Sequence, residues 1–307
     1  MRVVSLATLS QTFQRLPENL RGALWVILSA TLLTIMGVMV KRLGQELHSF
    51  QIVFFRCLIG GVFMFPFIMR AGFKSLRPRR PGLLALRVTM GMTAMFCVFY
   101  SFSNMPFAEA VAIIFSRPMF GVALAALLLG EIVGWRITAA AVIGFLGVLL
   151  IVKPGTAAFD PVSLVAVTAA VMSGCIAVII KKLSRTETTT IIVIWFTIGG
   201  AAISFFPALF VWSAPTIEQW GFLLLIGAVG ISGQVALTRG FSTGETSFVT
   251  LFDYMRLVFA TLFGFLLFGE IPDIWAMIGA SVIVGSGYYI ARRELLLARG
   301  GKSKLKA

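Results

Sequence analysis

The sequence predicts an all-α integral membrane protein of ten transmembrane helices, arranged as two inverted five-helix repeats. Three observations predict it. The chain of 307 residues is 59% hydrophobic and only 12% charged, where an ordinary soluble domain carries roughly 25% charge. Its apolar residues fall into ten runs, each near the length of about 20 residues that a helix needs to cross a hydrocarbon core of roughly 30 Å with its backbone amides satisfied internally. The third observation is a repeat. Phe115 to Glu131 reads FSRPMFGVALAALLLGE, and 139 residues later Tyr254 to Glu270 reads YMRLVFATLFGFLLFGE.

At that offset Arg117 falls on Arg256, Phe120 on Phe259 and Gly130-Glu131 on Gly269-Glu270. Gly60-Gly61 recurs as Gly199-Gly200 and Phe102-Ser103 as Phe241-Ser242, while Val40-Lys41-Arg42-Leu43 returns one residue later as Ile180-Lys181-Lys182-Leu183. Leu and Phe echo one another by chance in apolar stretches. Buried charges and a shared Gly-Glu stop, held in one register, do not. The halves are therefore 1–155 and 156–307, meeting near Pro154-Gly155. Five spans per half is an odd number, so the second half enters the membrane upside down relative to the first, a ground plan of secondary transporters that work by alternating access.

The runs follow in order. The first, 22–40, lacks a small-residue cleavage site after it and reads as a retained helix. The second, 50–69, holds Arg56 and Pro66; the third, 82–102, holds Arg87. The fourth, 107–129, carries Arg117 beside Pro118, which frees a backbone carbonyl and predicts a kink there. The fifth, 134–152, has Ala140 and Gly144 for close helix contact, and the sixth spans 162–180. The seventh, 190–212, contains Pro207. Gly227, Gly230 and Gly233 line the eighth, 219–238. The ninth, 246–268, holds Asp253 and Arg256, and the tenth, 273–291, has Ala276 and Ala280. Connections are short, and no soluble domain interrupts the spans.

The net charge of +14 sits between the runs and at the ends, so it marks topology and contact with anionic lipid headgroups rather than nucleic acid. With the N-terminus in the cytoplasm, 19 Lys and Arg residues fall in inner segments against three, Lys41, Arg42 and Lys153, in outer loops. Both termini are therefore expected inside. The remaining four, Arg56, Arg87, Arg117 and Arg256, lie within the spans.

An arginine at the bilayer centre costs roughly 3 kcal/mol or more, so it usually faces a cavity or a partner. Arg117 and Arg256 lie near the middle of their helices and are the first candidates for a substrate site, where a guanidinium offers a fork of donors to a carboxylate, phosphate or polar heterocycle edge. The structural alternative is an ion pair. Asp253, three residues before Arg256, is placed to make one, whereas Arg117 has no such neighbour on its helix. Asp253 reads either as that partner or as a proton-coupling carboxylate. Arg56 is a third candidate, and Arg87 snorkels. Gln234, Ser116 and Tyr254, with Ser232 and Tyr100, offer orienting hydrogen bonds. Glu131 and Glu270 close matching helices at opposite faces, as helix ends or gates.

Other classes lack material. The three cysteines, Cys57, Cys97 and Cys175, are odd in number and lie within apolar runs, so they imply no disulfide framework. His48 is the only histidine, which leaves a histidine metal site or His-based triad unsupported. Gly300-Gly301-Lys302-Ser303 has Leu296 where a phosphate loop needs glycine, and no strand precedes it. No cofactor and no enzymatic constellation is implied. Monomer and homodimer are equally compatible with the sequence.

These residues carry a resemblance. The FFR of Phe54 to Arg56, the helix with Pro118 that ends LLLGE at Glu131, the IGFLGVLLIVKPG of Ile143 to Gly155 and the second LLFGE at Glu270 resemble the EamA family of the drug/metabolite transporter superfamily. Leu47 to Arg56, Lys153 to Pro161 and Phe252 to Ala260 are similar to a bacterial subgroup that includes riboflavin and S-adenosylmethionine uptake carriers. The ninth helix departs from the family's proline, with Tyr254-Met255-Arg256 in its place. The resemblance implies a multi-pass carrier of the bacterial inner membrane that imports a ring-bearing metabolite, riboflavin ahead of S-adenosylmethionine. The rivals are an exporter of amino acids or drugs and, outside transport, a membrane enzyme or scaffold.

Overall fold

The computed structural model describes residues 16–71, 77–117, 119–120, 123, 135–183, 186–243 and 252–304. Within them lie ten helices: α1 (Glu18–Leu43), α2 (Ser49–Ala71), α3 (Pro81–Asn104), α4 (Phe107–Ile114), α5 (Trp135–Val152), α6 (Val162–Leu183), α7 (Thr189–Phe210), α8 (Ile217–Thr243), α9 (Met255–Phe268) and α10 (Ile274–Lys304). Each overlaps one of the ten apolar runs, α4 and α9 covering only the parts of the fourth and ninth runs at 107–114 and 255–268. Among the described residues there is no strand, and six helices are long and apolar enough to cross a membrane, with shorter apolar stretches at Val162–Ile176, Met255–Phe268 and Ile274–Ile290. Pro118 and Glu131 lie outside the described residues.

Large apolar side chains such as Val62, Phe206, Leu266 and Leu267 are exposed on the outside of the bundle, where lipid rather than water is their partner. Many hydroxyls inside the spans bond back to their own helix, as Thr34 Oγ1 does to the Ala30 carbonyl at 2.7 Å and Ser204 Oγ to Gly200 at 2.5 Å. This satisfies polar groups without water.

Packing follows the repeat. When helix n is exchanged for helix n + 5, α1·α8 becomes α3·α6, α2·α8 becomes α3·α7, and α1·α9 becomes α4·α6, all of which pack; α2·α7, α4·α9 and α5·α10 map onto themselves. Short connections make successive spans run in opposite directions, so helix n and helix n + 5 are antiparallel and the exchange is a two-fold axis in the membrane plane. The first half thus completes its packing only with helices of the second.

Small residues set the closest approaches. A Cβ on Gly279 of α10 would lie 2.6 Å from the Gly147 carbonyl oxygen of α5, and one on Gly147 would lie 2.9 Å from that of Gly279. The glycine face of α8 behaves as its spacing predicts: Gly227 meets Ile59, Gly230 meets Met36 and Gly233 meets Leu33. In lipid, such contact is what holds helices together. Ser29 adds a buried hydrogen bond from its hydroxyl to the Gly233 carbonyl, 2.9 Å.

Candidate functional site

The kink expected at Pro118 falls outside the described residues, but just before it the fourth helix is interrupted by a turn, and a turn stands at the equivalent position before α9, where there is no proline. At Phe115–Ser116 the α4 segment leaves regular hydrogen bonding: the amides of Ser116 and Met119 each bond three residues back, to Ile113 and Ser116, both at 3.0 Å. Tyr254, which the repeat matches to Phe115, is a turn before α9, and the Leu257 amide bonds its carbonyl at 3.0 Å. Phe115 lies eight residues, about 12 Å at 1.5 Å per residue, inside the start of α4 at Phe107. That depth is near the middle of the hydrocarbon core.

At these two breaks the charges gather. Asp253, buried to 2% exposure, accepts from Arg117 Nη2 through Oδ2 at 2.7 Å and from Arg256 Nη2 through Oδ1 at 3.0 Å. The Phe115 ring lies beneath both guanidiniums, 5.3 Å from Arg117 Cζ and 5.6 Å from Arg256 Cζ, and packs on the Tyr254 ring at 5.4 Å between centroids. Tyr254 in turn presses its hydroxyl against Gly287 of α10, where a Cβ would collide. Two guanidiniums sharing one carboxylate leave one positive charge over. Arg117, whose side chain is 37% exposed against 18% for Arg256, is the more accessible of the two, while Arg256 holds a buried Nε without a hydrogen-bond partner.

Of the residues that the sequence singles out, Arg117, Arg256, Asp253 and Tyr254 come together here, and Ser116 sits beside them with its hydroxyl donating to the Ile113 carbonyl at 2.6 Å. The absence of a partner on Arg117's own helix misled in one respect. Its partner comes from the other half, 136 residues away. Phe115 was not singled out, although its place opposite Tyr254 in the repeat is the signal that finds it. Arg56 and Gln234 belong to a different seam. Arg56 is buried on α2 against Gly230 of α8, and Gln234 is half-buried on α8.

Glu270 occupies the membrane face where α9 meets α10. Gly269, at φ 65°, ends α9 in the left-handed region that suits glycine. The chain then turns Glu270 back over the helix it follows, so that a Cβ on Gly264 would lie 3.1 Å from its Oε2. There Oε1 pairs with Lys41 Nζ at 2.5 Å, and Oε2 accepts from the Phe107 amide at 2.7 Å. Beside it, Lys153 pairs with Asp273, whose Oδ1 also caps the Ala276 amide at 2.7 Å. The Lys153 ammonium is the main cause, and the Ala276 amide the next, of an Asp273 carboxyl held below its ordinary value. A lateral groove of about 790 Å³ between α4, α9 and α10 runs beside this face, lined by Leu257, Leu262, Phe265 and Ala280 with Glu109 at its edge.

An apolar ten-helix pair of inverted halves, with charged side chains at the seam, defines a membrane carrier. Comparison with known proteins agrees: the model of the EamA-like transporter family matches residues 20–153 and again 161–292, and the chain belongs to that family. It is 28% identical over 279 residues to an S-adenosylmethionine uptake transporter of Rickettsia prowazekii, covering 91% of this chain and 95% of that one. It is 33% identical to the pseudopaline exporter CntI of Pseudomonas aeruginosa, with 89% and 96% covered. A riboflavin transporter of Rhizobium johnstonii is 28% identical, with 89% and 92% covered. A solved crystal structure shares the fold at a TM-score of 0.62 and 23% identity, covering 89% of this chain and 98% of its own. The protein is a multi-pass membrane transporter of this family for a small molecule.

Proposed function

We propose that the two halves, 1–155 and 156–307, carry a small ring-bearing metabolite into the cell across a bacterial inner membrane by alternating access, with both termini in the cytoplasm. The observation that carries the reading is the shared carboxylate. One guanidinium more than Asp253 can neutralise stands open at mid-membrane, beside the Phe115 and Tyr254 rings. A ligand carboxylate or polar ring edge docks on Arg117, and a planar ring stacks on the aromatic pair. Arg256 holds Asp253 in place.

Riboflavin presents the ring edge but no carboxylate. S-adenosylmethionine joins a purine to an amino-acid head whose carboxylate suits Arg117, but its ammonium and sulfonium bring two positive charges to a site already one in excess, where both Asp253 oxygens are taken. The charge pattern therefore favours the uncharged riboflavin, and S-adenosylmethionine is the second reading. Likeness to an exporter supports the opposite direction, so direction belongs to the same test. Proteoliposomes with an imposed gradient are loaded or bathed with each labelled compound and with amino acids. Accumulation of S-adenosylmethionine or riboflavin, reduced by Arg117→Ala at least roughly tenfold, the factor of one charge-assisted hydrogen bond, is the expected result. Efflux of amino acids without movement of either compound removes the proposal, and full transport by an inserted Arg117→Ala protein removes Arg117 from the site.

A further inference from the structure

We propose that Lys41, Glu270 and the amide of Phe107 form the lock that closes the carrier on the Glu270 face, with Lys41 a positioning residue of the transport cycle. The inference rests on the carrier reading above. Lys41 lies in the last turn of α1, and its ammonium makes three contacts at once: Glu270 Oε1 at 2.5 Å, the Met105 carbonyl at the end of α3 at 2.8 Å, and the face of the Phe268 ring at 5.2 Å. Both charged side chains are largely shielded, at 12% and 17% exposure, so solvent weakens the pair little. The second oxygen of the same carboxylate takes the Phe107 amide, an N–H at the start of α4 that has no partner within its own helix.

Four elements therefore meet on one carboxylate and one ammonium. α1 and α9 pack on each other, as do α3 and α4, and α1 also packs on α3 and α4 on α9; the lock ties the four together at one membrane face. Its place relative to the breaks gives it a moving part. The α4 segment Phe107–Ile114 lies between the lock and the irregular turn at Phe115–Ser116, and the α9 segment Met255–Phe268 lies between the lock and the turn at Tyr254. Both segments thus have an irregular turn at the arginine cluster and a pin at the membrane face. With the pin released, rotation about the turns parts the outer ends and opens a path from that face down to Arg117.

The test measures access from one side. In a background with Cys57, Cys97 and Cys175 replaced by Ala, a single Ala110→Cys is placed behind the lock, at a position of no exposure. Labelling by a membrane-impermeant maleimide is followed in sealed vesicles of both orientations. Glu270→Gln keeps an acceptor for the Phe107 amide, and Lys41→Gln keeps a donor for the Met105 carbonyl, so each removes the charge pair with least damage to the fold. Either variant is expected to speed labelling from the Glu270 face by roughly tenfold, the factor of one coupled interaction, with no change from the other side. Unchanged rates in both variants overturn the lock, as does an increase equal from both sides, which reports general loosening. Counterflow of S-adenosylmethionine and riboflavin by the parent protein is measured in parallel. A parent that moves neither while labelling responds overturns the choice of a ring-bearing metabolite and leaves the lock standing; transport with unresponsive labelling does the reverse.

Discussion

Asp253 has no acidic counterpart in the first half, because the repeat places Ile114 opposite it. One carboxylate between two arginines makes a cluster whose members depend on one another. Asp253→Asn leaves two guanidiniums facing each other without a counter-charge, and removing one partner of a buried pair costs about 3–5 kcal/mol. The melting temperature in detergent should fall accordingly, and adding Arg117→Gln to the same chain should recover part of the loss. A double variant that melts where the sum of the two single effects puts it would mean that the three groups are not coupled. The arginines were legible in the sequence because a charge inside an apolar run stands out. Arg117's partner was not, since helix spacing reports neighbours on one helix and says nothing of a contact between halves. Lys41 was read as a loop charge that marks topology. Its repetition at Lys181, together with the repeated Gly-Glu, was the unused sign that both belong to the ends of paired helices.

Among elements, the glycines divide into those that hold helices together and those that do not. Gly279→Val would drive a branched side chain into the Gly147 carbonyl, 2.6 Å from the position of its Cβ, and overpacking of this kind costs about 1–3 kcal/mol. Lower melting and a smaller folded fraction on size exclusion are expected. Gly221 of α8 has no atom within 4 Å of such a Cβ, so Gly221→Ala should be neutral or raise stability by up to about 1 kcal/mol through better helix propensity. Equal losses at the two sites would contradict the packing described for α5 and α10. The positions of the helices were legible because length and apolarity suffice to set a span. The break in the ninth helix was not. A proline marks the break near Phe115, whereas at Tyr254 the ring contacts with Phe115 and Gly287 and the two ion pairs of Asp253 accompany a turn that no residue type announces.

On the scale of the whole molecule, the excess of Lys and Arg in alternate connections predicts that reporters fused after residue 307 and before residue 1 both report cytoplasm, while one inserted between Lys153 and Pro161 reports the opposite side. A split result would remove the inverted arrangement of charge. Acid acts at the face that carries the lock. The folded Asp273 carboxyl sits below its ordinary value, so its contribution is present above the unfolded value of about 3.9 and is lost as pH falls through the lower, folded one. Wild type should therefore lose more thermal stability than Asp273→Asn between pH 7 and pH 3, by a small margin because the site is exposed to solvent. The two-fold relation was legible in the repeat, but the pairing of α1 with α8 and of α5 with α10 was not, because helices that are apolar all round give no stripe to separate lipid-facing from protein-facing sides.

That interleaving bears on how the chain is made. α5 leaves the ribosome long before α10, its closest backbone neighbour, has been translated, and α1 waits for α8. Early spans must therefore rest in the bilayer with their glycine faces uncovered until the last span arrives. A nascent chain arrested before α10 should remain open to proteases and quality-control factors, however well its first five spans have inserted.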